Sequence, residues 1–336
     1  MNIAEVAQKL KELKQPQFRL KQALRCYYKD LKSDWSEIST WPKDLRDAMI
    51  DQPWSSLKLV KTLETQDPPS VKMLLKTHDS HHIETVIMRH HDGRNTVCIS
   101  SQVGCAMGCL FCATGKMGYT RNLTAQEIVD QIIQAARILS AQSAKVTNIV
   151  FMGMGEPFNN PDEVFKALNI IMDPEAIGLG ARHISISTCG IIPGINRLMK
   201  ECPQVNLAIS LHAPNQVLRD RIMPVSKAYP LKKLMNTLKV YADATHRKIM
   251  FEYVMLDGVN DSLDHADELA DLLMEFRGLA HVNLIKYHQT GAFKASNESR
   301  RRHFQNQLKR RGISVTHRIS YGEEINAACG QLSAAS

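Results

Sequence analysis

Hydrophobic and polar positions change rhythm along the chain. From 2 to 35, Leu10, Leu13, Phe18, Leu20 and Leu24 alternate at helical spacing with Lys9, Lys11, Lys14, Arg19, Lys21, Arg25, Lys29 and Lys32, giving a helical segment with a basic face. Trp35, Trp41, Pro42, Pro53 and Trp54 then punctuate short helices up to about residue 65. From 71 the texture is that of strands, expected at 71–75, 83–88 and 96–100, with a turn at 91–94 around Asp92 and Gly93. Beyond 100, short apolar runs alternate with amphipathic helices. Strands are expected at 148–152, 183–187, 205–210, 248–256 and 281–286. Helices are expected at 124–139, 161–171, 194–200, 231–242, 264–276 and 298–311. Thr124 followed by Glu127 predicts a capping box at the start of the first of these. This alternation argues for an α/β protein with a parallel sheet wrapped by helices, a full or partial (β/α) barrel. Its chemistry then belongs at the C-terminal ends of the strands.

Composition adds a compartment and a class of partner. The chain has 336 residues, 44% hydrophobic and 23% charged, which is globular, and no apolar run approaches the roughly 20 residues of a membrane helix. The N-terminus shows no basic start leading into an apolar stretch, so no secretory signal is expected and a reducing cytoplasm is the default. Eight cysteines in such a compartment point to metal or redox chemistry before disulfides. A net charge of +8 is compatible with a polyanionic partner. Arg300, Arg301 and Arg302, with Lys309, Arg310 and Arg311, flank the last predicted helix and could cradle an RNA backbone together with the N-terminal basic helix. The second trio also suits the C-terminal end of a helix dipole.

Cys105, Cys109 and Cys112 place three thiols within eight residues, with Gly104 and Gly108 letting the backbone curl around a bulky centre. Structural zinc and electron-carrying 4Fe–4S sites both take four protein ligands. A trio leaves one iron of a cluster open to hold something else, and thiolates are soft ligands suited to such clusters. His78, His81, His82, His90 and His91 follow no ligand spacing, and Cys26, Cys189 and Cys202 read as packed thiols.

The Cys-x-x-x-Cys-x-x-Cys spacing resembles the radical S-adenosylmethionine superfamily, in which the open iron chelates the methionine part of S-adenosylmethionine and an electron cleaves it. Longer words narrow this: Cys98-Ile99-Ser100-Ser101-Gln102-Val103-Gly104-Cys105, Phe111-Cys112-Ala113-Thr114-Gly115, Arg121-Asn122-Leu123-Thr124, Phe151-Met152-Gly153-Met154-Gly155-Glu156-Pro157, Ser210-Leu211-His212-Ala213-Pro214 and Ala327-Ala328-Cys329-Gly330-Gln331-Leu332 are similar to those of the RlmN/Cfr family. That family methylates an adenine of 23S ribosomal RNA at carbon 2 or carbon 8, some members acting on transfer RNA as well. The resemblance implies a partial (β/α) barrel of radical S-adenosylmethionine type at 91–323. An N-terminal helical accessory domain (1–70), connecting strands (71–90) and a C-terminal tail (324–336) surround it.

It also implies roles. Cys105, Cys109 and Cys112 hold one 4Fe–4S cluster per chain. Gly155, Glu156, Ser187, Ser210, Leu211 and His212 bind S-adenosylmethionine. Cys329 carries a methyl group as S-methylcysteine. Hydrogen abstraction from that group makes a carbon radical that adds to the ring. Cys98 then resolves the adduct through a transient disulfide with Cys329, and Glu84 accepts the ring proton. A reducing donor such as flavodoxin and a monomeric, membrane-free enzyme are further implications. Three words depart from the family. His288 stands where asparagine usually contacts S-adenosylmethionine, the segment Thr290-Gly291-Ala292-Phe293-Lys294 is shorter than usual, and Ile319-Ser320-Tyr321-Gly322-Glu323-Glu324 lacks the usual arginines and aspartates. Two other readings stay open: a radical enzyme on a different RNA or a small substrate, and a non-enzymatic metal-binding module.

Overall fold

The computed structural model describes every residue except Arg277, Ala292, Ala335 and Ser336, so the centre of the shortened 290–294 word and the end of the tail lie outside it. In chain order the elements are α1 (Ile3–Glu12), α2 (Phe18–Tyr28), α3 (Lys43–Ala48), β1 (Leu57–Gln66), β2 (Pro69–Thr77), β3 (His82–Arg89), β4 (Asn95–Cys98), β5 (Gln102–Gly104), α4 (Ala113–Lys116), β6 (Tyr119–Asn122), α5 (Ala125–Ser140) and β7 (Asn148–Phe151). They continue with α6 (Pro161–Met172), β8 (Ile184–Thr188), α7 (Ile192–Glu201), β9 (Asn206–Ser210), α8 (Gln216–Ile222), α9 (Leu231–Thr245), β10 (Ile249–Met255), α10 (Leu263–Leu273), β11 (Ala280–Lys286), α11 (Glu298–Arg310) and β12 (Ser314–His317).

Ten strands form one sheet, ordered β1-β2-β3-β4-β7-β8-β9-β10-β11-β12. The first four are mutually antiparallel. From β4 onward every neighbour is parallel. Since β1 and β12 are the two edges, the barrel is partial, and the expected α/β architecture holds. Along β8 the alternation sets Ile184 and Ile186, fully buried, against Ser185 and Ser187, which line cavities inside the barrel. Lower in the barrel, Asn148, His281, Asn283 and Thr316 continue this polar interior. The lumen is thus a site, not a packed core.

Helix α5 starts as expected. Thr124 Oγ1 accepts from the Glu127 amide at 3.2 Å, and Glu127 Oε2 accepts from the Thr124 amide at 2.9 Å. Asp130 on α5 anchors the N-terminal region, accepting from Ser55 Oγ at 2.9 Å, from the Ser56 amide at 2.6 Å and from the Tyr27 hydroxyl. Trp35 stacks on Trp41 and meets Trp54 edge-on, so the tryptophans build the small core of this region.

One expectation is corrected. The helical stretch read up to about 65 ends in a strand, β1, and the boundary placed at 70 falls inside β2. Along β1 only Leu57 and Thr65 are buried, Lys58 and Lys61 face solvent, and the register shifts between Leu59 and Lys61. A bulged, lysine-bearing edge is a common guard against sheet-to-sheet association, and it erases the period-two signal of a strand.

Candidate active site

The cysteine loop leaves the C-terminal end of β4 and is held at its base by the β5–β6 hairpin. The Cys105 amide donates to Gly118 O at 2.8 Å, and a Cβ on Gly104 would lie 2.0 Å from that oxygen, so at φ +73° only glycine fits. Across the loop, the Cys112 amide donates to Cys109 O and the Leu110 amide to Ile222 O, each at 3.1 Å. Burial pushes the Cys105 thiol up to about 12 and raises Cys109 too, so metal binding must displace their protons.

Mononuclear zinc at Zn–S of about 2.3 Å would bring its thiolates within roughly 3.8 Å of one another. Among the described residues the one set of three ligand atoms within 4.8 Å is His78, Asp79 and Glu127, so the cysteines stand wider than that. Three soft donors on one loop, their wide spacing and a buried unpaired arginine nitrogen nearby (Arg219 Nη1) fit a 4Fe–4S cluster.

The loop roofs a cavity lined by Cys105, Cys109, Cys112, Gly155, Glu156, Ser187, Ser210, His212 and Cys329. Gly155 has φ +99°, and a Cβ there would lie 2.6 Å from Gln102 Cβ. Glu156 accepts from the Phe158 amide at 3.0 Å and the Cys189 amide at 2.8 Å, which fixes its carboxylate while leaving a lone pair on each oxygen. Burial raises its pKa against those two donors. Ser187 and Ser210 hydroxyls stand 3.3 Å apart. His212 Nδ1 accepts from the Val254 amide at 3.0 Å, so its Nε2 carries the proton; burial lowers its pKa to about 3. Leu211, by contrast, is fully buried and does not line the cavity; its amide donates to Glu252 O.

A second cavity adjoins the first and is lined by Cys98, Cys329, His288, Arg318 and Tyr321. Cys329 lines both and is exposed. Burial pushes Cys98 up to about 12 and raises Cys329, with Arg318 opposing both shifts. All eight cysteines are free thiols, so no disulfide joins Cys98 to Cys329 in this structure. His288 faces this second cavity and not the one around Glu156. Its Nε2 pairs with Ser320 Oγ at 2.9 Å, its Nδ1 stands 3.3 Å from Glu323, and burial lowers its pKa.

The tail closes the mouth. Ala113 donates to Gly330 O at 2.8 Å, Thr114 Oγ1 to Leu332 O at 2.6 Å, and the Ser333 amide to Glu84 Oε2 at 2.9 Å. Glu84 is buried, paired with Lys72 at 2.9 Å, and lines neither cavity while the tail lies over it. On α11 and at its C-cap, Arg300 pairs with Asp257 and Asp261, Arg302 with Glu298, and Arg311 with Asp267 and Asp271, so half of those six cations serve the fold. At His78, the Asp79 and Glu127 carboxylates are both taken by Arg121.

Sequence reasoning missed three cavity residues. Cys189, read as a packed thiol, lines the cavity just past the end of β8, where its position after a strand was the available signal. Glu252 and Arg318 also line it and pair at 3.3 Å; a glutamate between Phe251 and Tyr253 in a buried strand could have flagged them.

The model of the "Radical SAM superfamily" matches residues 99–273. A "Probable dual-specificity RNA methyltransferase RlmN" of Geobacillus kaustophilus is 42% identical over 321 residues, covering 94% of this chain and 87% of the relative. One of Halalkalibacterium halodurans is 41% identical, covering 99% and 92%. The chain belongs to the RlmN family of radical S-adenosylmethionine RNA methyltransferases. The crystal structure of a radical SAM methyltransferase from Sphaerobacter thermophilus matches this RlmN-family chain with a TM-score of 0.94 and 43% identity, over 100% of this chain and 98% of that one. The superfamily match takes in the cysteine loop, Glu156, Ser187, Ser210 and His212. Glu84, Cys98, His288 and Cys329 lie outside it, in the flanks that the RlmN relatives share.

Proposed function

We propose that this RNA methyltransferase adds a methyl group to carbon 2 or carbon 8 of an adenine in 23S ribosomal RNA, with transfer RNA as the other substrate to test. The observation that carries the reading is the placement of Cys329, open to the cavity under the cysteine loop and to the cavity of Cys98. Cys105, Cys109 and Cys112 would hold a 4Fe–4S cluster, which when bound would supply the electron that cleaves S-adenosylmethionine, with a donor such as flavodoxin to replenish it.

Around the cofactor, Gly155 gives backbone approach, Glu156 offers a carboxylate to the amino group, and Ser187, Ser210 and His212 Nε2–H offer hydrogen bonds. A ring carbon at position 2 or 8 is a poor nucleophile, so the methyl group is carried first on Cys329 sulfur. The 5′-deoxyadenosyl fragment of a second S-adenosylmethionine would take a hydrogen atom from that S-methyl, giving 5′-deoxyadenosine and a carbon radical that adds to the ring. Cys98 thiolate would then attack Cys329 sulfur and break its bond to the added CH2, which becomes the methyl group by gaining a proton as the ring carbon loses its own, while the unpaired electron would return to the oxidised cluster. Glu84 accepts the ring proton once the tail has lifted from it. His288 acts on the second cavity, beside the thiols, in place of the expected S-adenosylmethionine contact.

In reconstituted protein, Cys329→Ala abolishes product and Cys98→Ala accumulates a covalent protein–RNA adduct; clean turnover by the second variant removes Cys98 from the scheme. Mass spectrometry of nucleosides separates 2-methyladenosine from 8-methyladenosine, and finding neither, with S-adenosylmethionine cleavage intact, favours a different substrate.

A further inference from the structure

Arg219 on α8 is the largest side chain sealed fully from solvent among the described residues. A guanidinium does not deprotonate, and a cation taken out of water costs several kcal/mol unless something compensates it. No carboxylate among the described residues lies within ion-pair distance of it, whereas Arg318 has Glu252. Its Nη2 donates to Cys189 O at 2.7 Å and Ser210 O at 3.5 Å, and Nε donates to Leu211 O at 3.3 Å. These carbonyls lie at the ends of β8 and β9. Nη1 is buried with no partner. The titratable groups that act on its charge are the thiols of Cys189 and Cys109 and the carboxylate of Asp220. Asp220 is already engaged by Gln216 Nε2 at 2.6 Å.

The backbone ties the same helix to the cysteine loop. Ile222, one turn beyond Arg219, accepts from the Leu110 amide, directly after Cys109. A strut joining two strand ends would explain Nη2 and Nε. It would leave a buried positive charge without an anion and a donor aimed at nothing, which the low-dielectric interior penalises.

We propose that Arg219 is the internal counter-charge of the iron–sulfur cluster, its free Nη1–H and fixed positive charge favouring the one-electron reduced state. This rests on the reading of Cys105, Cys109 and Cys112 as cluster ligands. A cluster on three thiolates is anionic and gains a further negative charge on reduction. Nearby charge, hydrogen bonds to sulfur and burial are the levers by which protein sets its potential. Arg219 brings the charge and the burial, holds Nη1–H as an unengaged donor, and touches no solvent that would screen it.

The test is an EPR-monitored redox titration of the full-length, anaerobically reconstituted protein, with iron content and circular dichroism measured alongside. In Arg219→Gln, which keeps donors for the carbonyls and removes the charge, the equilibrium constant for one-electron reduction falls at least about tenfold, 59 mV per tenfold for one electron. Arg219→Lys keeps the charge and stays within about threefold of wild type. An unchanged potential in Arg219→Gln at full iron content overturns the proposal, as does an equal fall in both variants. Should Arg219→Gln fail to fold, wild type made with 15N-arginine decides: pulsed EPR of the reduced cluster detects weak nitrogen coupling, and its absence overturns the proposal. A wild-type protein that forms no 4Fe–4S spectrum instead sinks the cluster reading itself and takes this proposal with it.

Discussion

His212 permits the sharpest quantitative prediction. Its backbone is left-handed at φ +58°, its Nδ1 accepts from the Val254 amide, and its ring meets Phe111 edge-on at 4.6 Å. Burial first, and the Arg219 charge second, lower its pKa from 6.5 to about 3. The unfolded chain therefore takes up a proton from about pH 6.5 downward, while the folded chain resists until about pH 3. Stability must fall as pH falls through that window. At pH 5 the difference is about 1.5 pH units at 1.36 kcal/mol each, or about 2 kcal/mol relative to pH 7.5. Asparagine is the informative replacement. It tolerates the left-handed backbone, and its Oδ1 stands where Nδ1 accepts from Val254. His212→Asn loses about 0.5–1.5 kcal/mol of aromatic pairing at every pH. It also lacks the titration, so its decline between pH 7.5 and 5 is about 2 kcal/mol smaller than that of wild type. Urea unfolding of the reduced, metal-free chain at the two pH values measures this. The double difference removes His90, His281, His288 and His317, whose pKa values burial also lowers. Equal declines in the two proteins would refute the neutral, Nε2-protonated imidazole assigned to the cavity.

Two further substitutions probe the frame of the site. Gly155→Ala meets a positive φ and Gln102 Cβ at 2.6 Å, so strain and overpacking together cost about 2–6 kcal/mol in urea unfolding. Gly93→Ala, at φ +85° with nothing within 4 Å, costs only the strain part, and equal losses at the two positions would mean the Gln102 contact is irrelevant. Lys72→Met strands the buried Glu84 carboxylate and releases Asn326 O, for a loss of about 3–5 kcal/mol. Lys72→Met with Glu84→Gln recovers most of that in the same assay, and a double variant as unstable as the single one would locate the effect elsewhere.

Much of this architecture was legible because the period of the apolar pattern is the fold. The strands from β7 to β11 and the helices between them follow from buried runs and amphipathic stretches, and Thr124 and Glu127 mark the start of α5 by a hydrogen-bond exchange that those residue types make locally. The cysteine trio and the strand-end residues Glu156, Ser187, Ser210 and His212 meet around one cavity, as their spacing and the family resemblance implied. What escaped was decided by tertiary context. β1 is an edge strand whose exposed lysines imitate a polar helix face. Arg219 reads like any arginine on a short helix, and only the packing of α8 beneath the cysteine loop buries it. Cys189 follows the end of β8 and lines the cavity, whereas Cys202 caps the end of α7 and does not.

Sealed Arg219 and half-buried Arg318 are set to opposite tasks by a single carboxylate. Arg318 lies among Cys98 and Cys329, and its Nη1 is matched by Glu252 Oε2, which leaves only a moderated field at the thiols. That moderation has a use. A thiol that must attack in one step and be attacked in another works best when its pKa is near ambient pH, since nucleophilicity falls along with pKa. In the closed structure the balance is not yet struck, because Cys98 stands at about 12, protonated at neutral pH, beneath Ala327 and Ala328 of the tail. Burial is the largest cause of that shift and Cys329 on the tail the second, so lifting the tail weakens both and leaves Arg318 opposing what remains. The same movement breaks the Ser333–Glu84 hydrogen bond and releases the carboxylate. One displacement therefore reaches both Cys98 and Glu84, the thiol and the carboxylate to which the proposed scheme assigns resolution and proton acceptance.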